Sequence, residues 1–158
     1  MKRILCLLLI VMLFSLTSCS HIEDTNGPDD YSLTTLSEEN ILNRKGSTTT
    51  VGTVRTKSLI GGNLKGSYKV SKVSGVSTII KFECKGTTVK FEIDFTVTSG
   101  NAILAVVSDG TIVRKIEANQ VVEFEVNNSK DTYQLVIVGE SAKANIKYNI
   151  NYVSDVWD

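Results

Sequence analysis

The chain holds one histidine, one proline and three cysteines in 158 residues. Each scarcity closes a route. The histidine is His21, set in a polar stretch near the start, so a Ser-His-Asp or Cys-His arrangement has no placed base. Zinc sites draw several His or Cys ligands; Cys6 and Cys19 fall in the first 19 residues, which leaves one His and one Cys beyond them, and neither a metal nor a cofactor is expected. Lys plus Arg and Asp plus Glu both number 17, so there is no basic excess to neutralise nucleic-acid phosphates. Long apolar runs are also lacking. The one candidate, Ile4 to Phe14, is eleven residues and falls short of the about 20 needed to span a bilayer. With proline confined to Pro28 and Val, Ile, Thr and Lys abundant, the composition favours strands.

The apolar run follows Lys2 and Arg3 and precedes small residues, the layout of a secretory signal peptide. It ends in Leu16-Thr17-Ser18-Cys19. This tetrapeptide resembles the bacterial lipobox: Leu16 stands at the apolar position, Thr17 is acceptable and Ser18 is the small residue. The resemblance implies cleavage before Cys19, lipidation of Cys19 with palmitate-type acyl chains, and attachment to a membrane of the bacterial cell envelope. Removing residues 1–18 leaves 158 − 18 = 140 residues and a side-chain charge of (17 − 2) − 17 = −2. Cys6 departs with the signal and Cys19 takes the lipid. Cys84 is then alone, which excludes an intrachain disulfide. It shares strand parity with Ile80 and Phe82 and reads as a small buried hydrophobe.

Residues 19–35 read as a lipid-anchored tether, polar and acidic with Gly27-Pro28 as a breaker. Asp24, Asp29 and Asp30 offer oxygens, but without EF-hand spacing or a closing glutamate. Residues 36–158 form the body. Ser37 is an N-cap, Glu38 and Glu39 suit the first turn, and Leu36 and Ile41 can make a hydrophobic staple, so a short helix is predicted over about 38–45. It must pack on something to persist. From residue 50 the pattern has period two. Turn markers recur at Gly86, Gly100, Gly110, Asn119, Asn128 and Gly139, the rhythm of an all-β sandwich or barrel and not of βαβ units. Strands are predicted near 51–57, 67–73, 77–85, 88–98, 102–108, 111–117, 121–127, 131–138 and 144–153, with Leu59 to Gly66 as a loop. Gly61-Gly62-Asn63-Leu64-Lys65-Gly66 lacks P-loop spacing.

The fold expected is a single antiparallel β-sandwich, jelly-roll-like in its alternation. The clearest strand, TVKFEIDFTVT, places Val89, Phe91, Ile93, Phe95 and Val97 on one face and Lys90, Glu92, Asp94 and Thr96 on the other. A Gly86-Thr87 hairpin would pair Phe82 with Phe91 and Lys81 with Glu92. A loop at 118–120 would pair Ile116 with Val122 and Arg114 with Phe124. Loops at 127–130 and 140–143 would pair Phe124 with Tyr133 and Ile137 with Ile146. Each register keeps the apolar set on one face. The run from Asn101 to Tyr152 resembles small β-sandwich modules attached to secreted bacterial proteins, which implies glycan binding or a structural role.

Several residues stand out as candidates for binding. Arg114 falls among inward positions, where an unpaired guanidinium is costly. It must reach water through a bulge or edge, or lie with Phe124 in a cation–π contact. Val113, Val121, Val136 and Val138 fall on the outer face and require either a cover, for which the Ile41 helix serves, or a protein partner. Tyr152 and Trp157 could stack on a ligand or pack the end of the body. Glu92/Asp94 and Glu123/Glu125 are the carboxylate pairs that a glycosidase would need, although alternation with Lys81 and Lys90 reads as a solvated face. The function expected is non-catalytic presentation of a sandwich to a glycan, peptide or protein partner. An assembly lipoprotein using the outer valines is the alternative, and a hydrolase the remote one.

Overall fold

A computed structural model describes residues 38–43, 48–86, 88–127 and 131–157. The signal segment, Cys19, His21, the tether, Leu36, Ser37 and the Arg44-Lys45-Gly46 helix end lie outside the described residues. Among the described residues one helix, α1 (Glu38–Asn43), precedes eight strands: β1 (Thr49–Val51), β2 (Val54–Ile60), β3 (Asn63–Cys84), β4 (Thr88–Ser108), β5 (Thr111–Ile116), β6 (Gln120–Asn127), β7 (Thr132–Ile150) and β8 (Val153–Trp157). They form one antiparallel sheet with main order β1-β3-β7-β4-β5; β2 and β8 also pair with β3, and β6 with β4.

Three strands are unusually long, at 22, 21 and 19 residues for β3, β4 and β7. Fully extended, β3 would span about 70 Å. Yet Leu64 near its start pairs with Ile150, and Cys84 at its end pairs with Val153. Three residues bridge at most about 11 Å, so β3 doubles back. β4 and β7 run beside it through the same turn. The continuous sheet thereby becomes two facing layers. One contains β2, the first half of β3, the second half of β7, the first half of β4, and β6. The other contains β8, the second half of β3, the first half of β7, the second half of β4, and β5. The result is the expected all-β antiparallel sandwich.

The bends coincide with breaks in register. In β3 the pairing shifts between Val70 and Gly75, and in β4 between Val97 and Asn101. Gly100 has φ +67, and a Cβ there would lie 2.6 Å from the carbonyl oxygens of Glu140 and Ser141. Here β4 approaches β7 to a distance that only glycine permits, in a backbone region few other residues adopt.

Alternation fills the space between the layers. Leu64, Tyr68, Val89, Phe91, Phe95, Ile146 and Ile150 come from one layer, and Ile80, Phe82, Leu104, Val106, Tyr133 and Leu135 from the other. Their rings meet across it: Phe91 lies 6.2 Å from Phe82 and 5.6 Å from Tyr133, centroid to centroid. A second, smaller cluster lies outside the second layer. There Ile41 of α1 covers Ala105, Val107, Val136 and Val138, and Lys115 Nζ reaches Glu38 at 2.6 Å.

Several pairings differ from those the hairpin registers predict. β7 stands between β3 and β4, so Phe82 pairs with Tyr133, and Phe91 with Phe124 and Ile150. Phe82 and Phe91 still meet, but from opposite layers across the core, with their rings tilted. Lys81 lies opposite Gln134 and Trp157. β6 leaves β5 and pairs with the first half of β4, because β4 bends away and the two short strands follow its successive halves. Residues 140–143 bend one continuous β7 where a hairpin loop is predicted. Leu59 to Gly66 is a tight hairpin with Gly61-Gly62 at its tip, pairing Ile60 with Asn63 and Leu59 with Leu64. Both glycines have positive φ, as a two-residue turn of matching twist requires.

Candidate functional site

Arg114 reaches solvent at an edge. It stands on the edge strand β5 opposite core residue Val106 and in parity with buried Ile116, next to a bulge where Val107 pairs with Ile112 and Val113 is skipped, and it is exposed. Its guanidinium lies 5.9 Å from the Phe124 ring centroid. Phe124 in turn stacks on Phe91 with parallel planes and centroids 4.7 Å apart. Arg55 sits over Tyr68 at 5.1 Å on the β2 edge. An arginine thus caps an aromatic at an edge of each flank, and Val113 packs partly buried against the core.

The remaining candidates do not gather around this pair. Val136 and Val138 are buried beneath Ile41, so they are not open surface. Val121 is 77% exposed on β6, opposite Asp94. Trp157 is partly exposed on β8, with Lys81 Nζ 5.8 Å from its ring centroid. Tyr152 is exposed, has φ +59, and lays its ring against Gly86.

The carboxylates on the outer face of the first layer are tied into a network. Lys90 Nζ lies 3.0 Å from Glu92 and 3.2 Å from Glu123. Asn149 donates its amide N–H to Glu92 at 2.8 Å, and Lys147 Nζ is 3.6 Å from Asp94. The bonds from Asn149 and then Lys90 hold the Glu92 carboxyl below its ordinary range. The bonds to Glu92 and Glu123 raise the Lys90 ammonium. A glycosidase general acid needs a raised carboxyl, so the shift on Glu92 runs the opposite way. Cys84 is fully buried. Burial first, then the charges of Glu83 and Asp131, pushes its thiol up to about 12, unlike the lowered value of a nucleophile. Among the described residues no cluster of His, Cys, Asp and Glu is placed to hold a metal, and no helix is long and apolar enough to cross a membrane.

Folding of the sheet creates a cleft that the sequence pattern does not reveal. It lies on the outer face of the first layer beside the bend, with a volume of about 390 Å³. Lys69 and Ser71 enter from β3, Thr96 and Thr98 from β4, and Lys143 and Asn145 from β7. Val54, 60% exposed, adds apolar surface from β2. Val54, Lys69, Asn145 and Thr96 lie in one row across four strands. Gly52 closes one end, where a Cβ would come within 2.6 Å of Ser71 Oγ. Taken strand by strand, these side chains are ordinary alternating polar positions. The only signal available beforehand was parity, which places Thr96 and Thr98 on the wet face.

No family model matches the chain and no curated protein matches it. Solved structures give distant matches. The Yersinia pseudotuberculosis-derived mitogen is 11% identical with a TM-score of 0.34, over 54% of this chain and 92% of its own. A pilus protein of Bacillus endospore appendages is 13% identical with a TM-score of 0.38, over 68% and 95%. The C-terminal CBM6 of LamC from Zobellia galactanivorans is 15% identical with a TM-score of 0.33, over 66% and 99%. At these values no residue of one site carries over to another.

Proposed function

We propose that this protein is a non-catalytic component of the bacterial cell envelope, held to a membrane by lipid on Cys19 and presenting its sandwich as a glycan-binding module. The observation that carries the binding half is the outer-face cleft of hydroxyl, amide and ammonium groups beside exposed Val54. Open clefts with a few convergent polar groups on a rigid sheet suit ligand capture. The carboxylate network and the buried thiol support binding over turnover: Glu92 is held as an anion, and Cys84 is held as a neutral thiol. The lipobox supports the address.

The test has two arms. Mass spectrometry of the mature protein should find an acylated Cys19 at its start, and Cys19→Ala should move it from the membrane to the soluble fraction. An unmodified Cys19 overturns the anchor. Glycan arrays probed with the detergent-solubilised protein should return saccharide ligands that Thr96→Val/Thr98→Val weakens. A blank array across envelope and host glycans overturns the binding reading.

A further inference from the structure

We infer that the cleft between Lys69 and Lys143 takes an acidic saccharide unit, its carboxylate or sulfate held between the two ammonium groups. This rests on the glycan-binding reading above and narrows it to a charge class. Three other lysines have acidic partners: Lys90 lies 3.0 Å from Glu92, Lys115 2.6 Å from Glu38, and Lys147 3.6 Å from Asp94. Among the described residues, none that lines the cleft is acidic. The carboxylate closest in register is Asp94, which accepts a bond from Thr96 Oγ1 at 3.4 Å and is already paired with Lys147.

Lys69 lies opposite Asn145, and Lys143 is two residues before Asn145 on the same strand. Diagonal neighbours on one sheet face stand about 7–8 Å apart. Two lysines anchored at that spacing can bring their ammonium groups to a single anion, which offsets the repulsion between like charges drawn together. A carboxylate or sulfate held there makes charge-assisted hydrogen bonds, roughly twice as strong as neutral ones. Among the described residues no aromatic ring lines the cleft, so they offer no stacking that would favour a neutral pyranose face. Ser71, Thr98 and Asn145 remain to meet sugar hydroxyls. Thr98 Oγ1 donates to the Lys143 carbonyl at 3.4 Å and can still accept a bond.

Calorimetric titration of the full-length, detergent-solubilised protein tests the inference. The probes are a galacturonate hexamer, a chondroitin sulfate hexamer, cellohexaose and sodium sulfate. At least one acidic hexamer should bind. Its affinity should fall about tenfold or more in Lys69→Gln/Lys143→Gln, the loss of a hydrogen bond to a charged group, and it should weaken as salt is raised from about 50 to 500 mM. Both lysines are exposed, so the variant should keep its circular dichroism spectrum. Cellohexaose binding as tightly as the acidic hexamers, or acidic binding that survives the double substitution, overturns the inference and leaves glycan binding standing. Sodium sulfate alone matching the oligomers reduces the cleft to a simple-anion site and overturns it. No binding by any of the three saccharides counts against both this inference and the broader reading.

Discussion

The ring of Phe91 meets the ring of Tyr133 edge-on at a centroid separation of 5.6 Å, although the two residues stand at opposite ends of the sheet. Phe91 lies opposite Ile150 at the end of β7, and Tyr133 is the second residue of the same strand. Their contact closes the folded sheet. Phe91→Ala should therefore cost about 3–5 kcal/mol, as for other buried aromatics, with loss of the Phe82, Phe124 and Tyr133 contacts. Urea unfolding followed by circular dichroism would measure it; a cost below about 1 kcal/mol would mean that the layers are held otherwise.

Gly100→Ala should be among the most damaging exposed-site changes. The substitution places a methyl 2.6 Å from two backbone oxygens at φ +67. A loss of about 2 kcal/mol or more is expected, because neither the oxygens nor the dihedral can relax without opening the bend. Gly110→Ala serves as the control: it shares a positive φ, but a Cβ there meets nothing within 4 Å. Thermal melts of the two variants should separate the steric part from the conformational part.

Ionisation of Cys84 gives a pH signature. In the unfolded chain the thiol titrates from its ordinary value of 9.0, whereas burial in the fold pushes it up to about 12. The folded state favours the neutral form, so stability is full below about pH 9 and declines as the pH rises towards 12. Tyr133, raised from 10.0 to about 12 chiefly by burial, adds to the decline from about pH 10. Urea midpoints between pH 8 and 10 should fall less steeply in Cys84→Ala than in the parent. Iodoacetamide at pH 8 should modify Cys84 only after denaturation.

The Arg114–Phe124 contact should be worth about 0.5–1 kcal/mol at this exposed edge. Arg114→Ala should cost about that much. Phe124→Ala should cost more, because it also removes the stack on Phe91. A double-mutant cycle should return coupling in the same range, and zero coupling would leave Arg114 as a solvated edge charge.

Ile41→Ala should destabilise by about 2–4 kcal/mol and uncover the second cluster. Ile41 is 1% exposed over Val136 and Val138. Increased binding of a hydrophobic dye at subdenaturing conditions would report the uncovering; an unchanged dye signal would mean that α1 is dispensable as a cover.

Parity carried most of what could be read in advance. Val89, Phe91, Ile93 and Phe95 are all buried, as TVKFEIDFTVT requires, and Ile41 covers Val136 and Val138 as the amphipathic helix suggests. Neighbour identity was not legible. A period of two places a side chain on a face but does not say which strand lies beside it. Phe82 and Phe91 satisfy the same parity whether they pair in one layer or meet between two. The contact of Arg114 with Phe124 was anticipated through the wrong register: Phe124 pairs with Phe91 and Arg114 with Val106, yet the fold brings them together. The cleft was hidden for the same reason. Lys69, Thr98 and Lys143 are far apart in the chain, and the pairing of β3, β7 and β4 beside the bend sets them around a common hollow.

The shared strands give the molecule a further property. Because β3, β4 and β7 run through both layers, an inserted or deleted residue in one layer would be passed to the other as an inversion of inside and outside. The shifts at Val70–Gly75 and Val97–Asn101 act as joints that reset this phase, so changes in length would be absorbed there and resisted elsewhere. Variation among natural versions of this chain should concentrate its gaps at those joints and in the short strands β1, β2, β5, β6 and β8, which belong to one layer or to the bend alone.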